Sequence, residues 1–163
     1  MIELRHYHTT SSRSPFGSWL GGLNAIAATK VVTALARLEA GNTSNVDAVG
    51  CTEMPLTKDF KETVRARAQR DRRFREALLT EAIGCFLSDD IEIGKALLRD
   101  YVHATVGFDE LAKATRKSSK SLMRMLGPSG NPQASNLFAV LDYLQKKENI
   151  RFTLTTSARS RGK

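Results

Sequence analysis

The chain has 163 residues and a net charge of +8 at neutral pH, and 41% of its residues are hydrophobic. This length suffices for one ordinary domain with its own hydrophobic core. Charged residues interrupt every apolar stretch well before the roughly 20 residues that a transmembrane helix needs, so we expect a soluble protein. The two cysteines, Cys51 and Cys85, show no metal-ligand spacing and follow no signal peptide, which indicates reduced thiols in the cytoplasm.

The positive charge is unevenly distributed along the chain. Residues 1–53 contain four basic and four acidic side chains, so the entire excess lies in residues 54–163. There, residues 58–75 are strongly basic, residues 76–110 are acidic, and residues 113–124 contain five basic residues and no acid. A charge run is often only a solvated surface, and for residues 58–75 that interpretation and a functional one stay equally open. The run at 113–124 differs, because it coincides with a motif.

The first third of the chain predicts a strand, two helices and a loop. Residues 2–7 have the pattern of a short strand, and Ser14 before Pro15 is a typical helix start. Residues 24–39 place their apolar side chains on one helical face. Residues 42–57 lack periodicity and contain glycine and proline, so we expect a loop there and a boundary between two units.

Residues 58–107 are predicted to form three helices. Their apolar residues recur at the spacing of an α-helix, and Asp89 or Asp90 is placed to cap the third helix. We expect these positions to form a helical core in which Cys85 is buried. The apolar positions that define the three helices are Phe60 and Val64, then Phe74, Leu78, Ala82 and Cys85 with Phe86 and Leu87 beside them, then Ile93, Ala96, Leu97 and Tyr101.

The remainder of the chain is predicted to be helical up to a final strand. Two short helices, at 108–115 and 118–126, precede a loop at 127–132 that contains two prolines and two glycines. A helix follows over residues 135–147. Apolar and polar residues then alternate over residues 150–155, which predicts a half-buried strand. The predicted fold is mainly α: a helical helix-turn-helix domain with a C-terminal β-strand, preceded by a short strand-helix-helix appendage.

The two short helices have the pattern of a helix-turn-helix, in which two helices cross at a steep angle. Ala112 supplies the small residue that such a crossing needs in the first helix. Leu122 and Leu126, one turn apart, supply the buried stripe of the second helix, and Ser118 is placed to cap it. Arg116 occupies the turn, where glycine is common, so we expect another turn geometry or an extra residue.

Polar and cationic side chains at the start of the second helix predict DNA recognition. A helix that lies in the major groove reads base edges and phosphates with such side chains. A surface without function usually mixes charges of both signs, whereas the run at 113–124 contains only cations. The predicted DNA-binding residues are Lys117, Ser118, Ser119, Lys120, Ser121 and Arg124.

Residues 54–156 resemble the antitoxins of HigA type, which are cytoplasmic helix-turn-helix proteins encoded beside a RelE-like toxin. The resemblance implies an antitoxin that binds a palindromic operator at its own promoter, represses its operon and neutralises a RelE- or HigB-like toxin. The segments that carry the resemblance are residues 56–60, 96–101, 107–111 and, most specifically, 118–132.

Residues 1–53 resemble the opening of a HigB toxin or a phage-derived toxin of the RelE superfamily. That family continues into a sheet that carries its RNA-cleaving residues, whereas this chain changes within a few residues to an antitoxin opening at Met54. The segments concerned are residues 2–7, 15–20, 36–42 and 46–50. The two resemblances divide the chain into a remnant toxin-like segment at 1–53, an antitoxin domain at 54–157 and a basic tail at 158–163.

A homodimer is expected, because a single helix-turn-helix contacts little DNA. The usual solution is two recognition helices about 34 Å apart on a pseudo-palindrome. Edge pairing of the predicted strand at 150–155 is the expected way to join the two copies. The expected partners are double-stranded operator DNA and a RelE- or HigB-like toxin. No association with a membrane is expected.

Two other functions stay open. A toxin-antitoxin fusion that retains ribonuclease activity needs several basic or acid-base side chains in one cleft. An interaction module would bind a toxin through the helices before residue 107 and would not bind DNA. We expect no enzyme activity, no cofactor and no metal, since His103 stands alone on a helix and the paired histidines lack a third ligand. The basic and histidine residues available to a ribonuclease are Arg5, His6, His8, Lys30 and Arg37.

Overall fold

The computed structural model describes residues 15–41 and 58–153, and every regular element in these two ranges is an α-helix. None of the helices in these ranges is long and apolar enough to cross a membrane. The helices are α1 (Pro15–Gly22), α2 (Ala25–Glu39), α3 (Lys58–Arg70), α4 (Arg72–Leu87), α5 (Ile91–Ala104), α6 (Gly107–Thr115), α7 (Ser119–Met125) and α8 (Ala134–Glu148).

α2 joins the N-terminal helices to the rest of the fold. It begins after Asn24, whose side chain accepts a hydrogen bond from the Ala27 amide at 2.9 Å, as expected for an N-cap. Ala28, Val32 and Ala36 recur at helical spacing and are buried. Because α2 contacts both α4 and α5, helices on the two sides of the predicted domain boundary share one hydrophobic core.

α4 and α5 form the centre of the core. The predicted apolar stripe of α4 is buried, and Asp71 caps this helix by accepting a hydrogen bond from the Phe74 amide at 3.1 Å. Cys85 is 4% exposed, which confirms its predicted core position, and burial raises the pKa of its thiol. The face of α5 that contains Leu97 is buried as well. The helical spacing of these two segments therefore predicted the centre of the fold correctly.

Arg67 anchors α1 and the following turn to α3. Its side chain is buried, and its guanidinium donates to the carbonyl oxygens of Leu20 and Leu23 at the end of α1. It also pairs with Asp71 at 3.3 Å and lies 4.8 Å from the centre of the Phe74 ring. Carbonyl groups at a helix end have no partner within the helix. The buried arginine therefore gives the Leu23 oxygen a donor and adds a second donor to the Leu20 oxygen, which also accepts from the Leu23 amide at 3.3 Å.

Glu148, the last residue of α8, connects that helix to the core. Its carboxylate accepts a hydrogen bond from the Tyr101 hydroxyl at 2.8 Å and pairs with Arg75 Nε at 3.0 Å. Arg72 donates to the main-chain carbonyl of the same residue at 3.1 Å. Burial, followed by the hydrogen bond to Glu148, raises the pKa of Tyr101, so the phenol remains the proton donor. The C-terminal end of α8 is thereby fixed to α4 and α5.

The predicted C-terminal strand is wrong, because residues 150–153 belong to no β-ladder. Asn149 takes a left-handed backbone conformation with φ 55° and ends α8. Ile150 and Phe152 then pack against the core, and the Phe152 amide donates to the side chain of Gln145 at 2.9 Å. The alternation of apolar and polar residues thus comes from an extended segment that lies on helices. A strand would need a neighbouring strand to receive its main-chain hydrogen bonds.

The predicted N-terminal appendage consists of α1 and α2 where the structure describes it, and contains no strand there. The strand predicted at residues 2–7 and the cap at Ser14 lie outside the described residues, as do Leu154 and Thr155. Every regular element in the described part of the chain is therefore an α-helix. The predicted fold, in which a strand lies at each end of the helices, is wrong for these residues.

Two side chains near the end of α4 differ from the prediction. Leu87 is 65% exposed and does not widen the buried stripe. Asp90 precedes α5 as predicted, but its carboxylate accepts a hydrogen bond from Arg37 Nε at 2.9 Å and makes no cap to the helix. Asp90 has φ −92° and ψ 55°, outside the extended conformation typical of an N-cap, and its carboxylate instead joins α5 to α2.

Candidate nucleic-acid interface

α6 and α7 form the predicted helix-turn-helix, with ends within one residue of the predicted ones. Leu111 and Ala112 of α6 are buried, as are Leu122 of α7 and Leu126 directly after it. α6 contacts α5, α7 and α8. The apolar sides of the motif therefore face the core, which leaves the polar side of α7 exposed.

The turn between the two helices contains the left-handed residue that glycine often supplies. Arg116 has φ 54° and ψ 39°, and the Lys117 amide donates to the Ala112 carbonyl at 3.0 Å. The expectation of another geometry or an extra residue was wrong, because the arginine adopts this conformation itself. A residue with a Cβ is strained there. The left-handed backbone of Arg116 therefore lowers the stability of the fold. Its side chain is exposed to solvent.

Two of the six predicted DNA-binding residues make hydrogen bonds that fix α7 in place. The Ser118 hydroxyl oxygen accepts a hydrogen bond from the Ser121 amide at 3.1 Å, which confirms the predicted N-cap. The Ser119 hydroxyl donates to Asp109 of α6 at 2.6 Å. The Ser119 hydroxyl hydrogen is therefore already used within the motif, and this residue ties the start of α7 to α6.

An open groove of about 500 Å³ lies between α7 and the segment that follows it. Lys117, Ser118, Ser121 and Arg124 line its α7 side, so the structure brings four of the six predicted residues together. The other two predicted residues do not line the groove. The opposite side of the groove is polar and was not predicted. We call it the loop wall; it consists of Ser129, Asn131, Gln133 and Asn136.

Four basic side chains of the motif have no partner among the described residues. Arg116, Lys117, Lys120 and Arg124 make no side-chain hydrogen bond or ion pair with any part of the chain that the structure describes. Lys117 is half-buried and the other three are exposed. Unpaired cations on one surface raise its positive potential, which attracts a polyanion such as a phosphate backbone.

Lys95 of α5 holds the loop from which the loop wall begins. Its side chain is 2% exposed, and its ammonium group donates to the carbonyl oxygens of Gly130 at 2.6 Å and Pro128 at 3.1 Å. Sequence reasoning missed this lysine, because its loop partners are 33 and 35 residues away and no local pattern marks it. For the loop wall a signal was present in the sequence: the polar residues Asn131, Gln133 and Asn136 follow α7 closely.

Glu110 of α6 fixes the orientation of α8 beside the motif. Its carboxylate accepts a hydrogen bond from the Tyr143 hydroxyl at 2.5 Å and pairs with Lys147 at 2.6 Å. The hydrogen bond from Lys147, followed by that from Tyr143, lowers the pKa of Glu110, and the same bond raises the pKa of Lys147. Together with Glu148, these contacts hold the helix that contributes Asn136 to the groove.

Among the described residues, the side chains considered for ribonuclease activity do not line a common cleft. Lys30 pairs with Glu81 at 2.8 Å and Arg37 pairs with Asp90 at 2.9 Å, so each is occupied by an acid of the same fold. Arg5, His6 and His8 lie outside the described residues. In residues 15–41 and 58–153, no group of three or more histidine, cysteine, aspartate or glutamate side chains is placed to hold a metal ion.

The chain was compared with protein-family models, with curated proteins and with solved structures. None of the three comparisons found a match. A function for the chain is therefore inferred from the geometry and charge of the helix-turn-helix.

Proposed function

We propose that the chain is a DNA-binding transcriptional regulator whose helix α7 enters the major groove of duplex DNA. The observation that carries this proposal is the set of unpaired cations on a helix-turn-helix, Arg116, Lys117, Lys120 and Arg124. In such motifs the second helix lies in the major groove and its side chains reach base edges. Phosphate contacts by lysine and arginine supply most of the sequence-independent affinity.

Arg124 and Lys120 have different roles in this proposal. Arg124 lines the groove beside α7, and its unpaired guanidinium is available for a bidentate contact with guanine. Lys120 lies one turn earlier, outside the groove lining, where its ammonium group is free to meet a phosphate. Arg124 is therefore assigned to sequence recognition and Lys120 to general affinity.

We further propose that this regulator is the antitoxin of a type II toxin-antitoxin module and neutralises a RelE- or HigB-like toxin. Support comes from the resemblance of residues 54–156 to HigA antitoxins, whose most specific segment, 118–132, contains α7 and the start of the loop wall. The acidic block at residues 76–110 suits contact with a basic ribonuclease, and Asp89 and Glu92 within it are exposed. A homodimer remains part of the proposal on grounds of operator symmetry alone, because the strand expected to join two copies is absent from residues 150–153.

The test begins with selection of bound sequences from random duplexes of about 24 base pairs, which is long enough for two half-sites. Wild type, Arg124→Ala and Lys120→Ala are then titrated with the selected duplex and with an unselected duplex. We expect Arg124→Ala to lose about 1–3 kcal/mol of discrimination at one base pair. We expect Lys120→Ala to weaken binding to both duplexes alike and to lower the salt slope by about one.

Lys146→Ala is the matched control, since Lys146 is an exposed cation of α8 that pairs with Asp142. The proposal fails if wild type enriches no duplex, or if both recognition variants bind the selected duplex with wild-type affinity. Failure to bind DNA combined with binding to a toxin would favour the interaction module.

A further inference from the structure

We propose that Lys95 is a positioning residue for DNA binding, which holds the loop wall at the distance from α7 that a DNA backbone requires. This inference rests on the proposed DNA-binding function. It assigns a role to a buried side chain of α5 that does not itself line the groove.

The burial of Lys95 is accounted for by three acceptors. Lysine is almost never fully buried unless its charge is paired. The three donors of the ammonium group match the carbonyl oxygens of Pro128 and Gly130 and the carboxylate of Glu92, which lies at 2.9 Å. The Glu92 side chain is 61% exposed, whereas both carbonyl groups belong to the loop after α7. The buried charge is therefore directed at the loop.

Gly130 connects Lys95 to the recognition helix. A Cβ at this position would collide with the carbonyl oxygens of Arg124 and Met125, so the loop lies directly on the end of α7. Its own carbonyl accepts the shorter of the two lysine hydrogen bonds, at 2.6 Å. One residue thus contacts α7 on one side and Lys95 on the other, and the lysine sets how closely the loop approaches α7.

The position of Gly130 determines where Ser129 and Asn131 of the loop wall lie, because these residues flank it. Gln133 and Asn136 follow at the start of α8, which is held by its own contacts. Hydroxyl and amide side chains commonly donate hydrogen bonds to DNA phosphates. Such a bond has a donor-acceptor distance of about 2.7–3.2 Å, so a loop that moves by about 1 Å loses it. Lys95 therefore acts on DNA affinity through the loop wall.

The test compares Lys95→Met with Lys146→Met, which removes the same charge from an exposed ion pair of α8. Methionine keeps the apolar stem of Lys95 and removes its donors. Binding to a random-sequence duplex is measured by fluorescence anisotropy at several salt concentrations, below the melting temperature of each variant. We expect Lys95→Met to bind about tenfold more weakly with an unchanged salt slope, because the side chains of the loop wall carry no charge, and Lys146→Met to stay within about twofold of wild type.

Adding Asn131→Ala to both backgrounds shows whether Lys95 acts through the loop wall. We expect this substitution to weaken binding in the wild-type background and to have much less effect when Lys95 is already methionine, because the displaced loop no longer brings Asn131 to the DNA. A merely structural role for Lys95 would lower the melting temperature without this coupling. Fully additive losses would overturn the proposal.

The outcomes separate this inference from the proposed function. If wild type binds no duplex, the DNA-binding function itself fails. If wild type binds and Lys95→Met binds as tightly as Lys146→Met, the function stands and the positioning role is overturned. Should Lys95→Met not fold, Gly130→Ala displaces the same loop from its α7 side: a similar loss of affinity supports the proposal, and unchanged affinity overturns it.

Discussion

The cations of α2–α4 and those of the helix-turn-helix differ in how many are paired within the fold. Four cations of the basic run at 58–75 pair with acids of the same fold, as do two cations of α2, whereas Arg65, Arg70 and Arg73 are exposed and have no partner among the described residues. The pairs are Lys30 with Glu81, Arg37 with Asp90, Lys61 with Glu39, Arg67 with Asp71, Arg72 with Glu76 and Arg75 with Glu148. In the run at 113–124, four cations have no partner among the described residues.

This difference shows that the pairing of a basic residue, together with its place in the fold, decides which property its substitution is expected to change. Both runs are strongly basic in sequence. A paired cation stabilises the fold and has little attraction left for a polyanion, whereas an unpaired one adds to the surface potential. Substitutions of the buried paired cations in the first region should therefore change stability, and substitutions of the unpaired cations of the helix-turn-helix should change binding.

The largest effect on stability is expected from Arg67→Met. This change leaves the carbonyl groups of Leu20 and Leu23 without their buried donor, which lowers the free energy of unfolding by about 3 kcal/mol. Arg124→Ala, on the exposed side of α7, should change it by less than about 0.5 kcal/mol. Urea denaturation of the two variants checks this, and equal stabilities would remove the distinction between the two regions.

A smaller loss is expected from Glu148→Gln. The amide is a weaker acceptor for Tyr101 and leaves Arg75 without its acid, so we expect a loss of about 2 kcal/mol in the free energy of unfolding. Glu76→Gln is the matched control, because Glu76 forms a more exposed pair with Arg72 within α4 and should cost less than about 0.5 kcal/mol. Thermal unfolding at neutral pH compares the two, and equal shifts would mean that burial does not matter here.

Local patterns in the sequence predicted much of the fold and half of the site. Helical spacing is set by residues three and four apart, so the buried faces of α4 and α5 and the two helices of the helix-turn-helix followed from it. The predicted cap at Ser118 is equally local, since its hydroxyl oxygen accepts a hydrogen bond from the third residue along. These features depend on residues that lie within about one helical turn of each other.

The remaining features depend on contacts between distant residues. An alternating pattern is the same for a strand and for an extended segment that packs on helices, so Ile150 and Phe152 were misread as a strand. The left-handed conformation of Arg116 is imposed by the two helices that it joins. Lys95 meets its loop across more than 30 residues, and Asp90 is diverted from capping by Arg37 of another helix.

Arg116 offers a case in which stability and binding change in opposite directions. Arg116→Gly removes the strain of the left-handed residue and should stabilise the fold by about 1 kcal/mol, while DNA affinity falls because one cation is lost. Arg116→Ala loses the same charge but keeps a Cβ, so it should show the affinity loss without the gain. Melting curves and duplex titrations of both variants check this. A glycine variant less stable than the alanine variant would contradict it.

The smallest effect concerns the ion pair that joins α6 to α8. The hydrogen bond from Lys147 lowers the pKa of Glu110 below its ordinary value of 4.5, so the pair stabilises the fold above that pH and is lost as the pH falls through the lowered value. Glu110→Gln should therefore melt slightly below wild type at neutral pH, and the difference should shrink as the pH falls below the ordinary pKa of 4.5. A difference that widens on acidification would contradict this sign.

The central claim is that the unpaired cations of the helix-turn-helix bind duplex DNA. The most direct measurement is the salt dependence of binding to a random-sequence duplex by two triple variants. The first is Lys117→Ala/Lys120→Ala/Arg124→Ala; the second, Lys30→Ala/Arg72→Ala/Lys146→Ala, removes equal charge from paired side chains that are 66%, 60% and 74% exposed. We predict that the first variant flattens the plot of log affinity against log salt by about 2 to 3 units, since each lost phosphate contact removes about 0.9, while the second keeps the wild-type slope. Identical slopes for the two variants would contradict the claim.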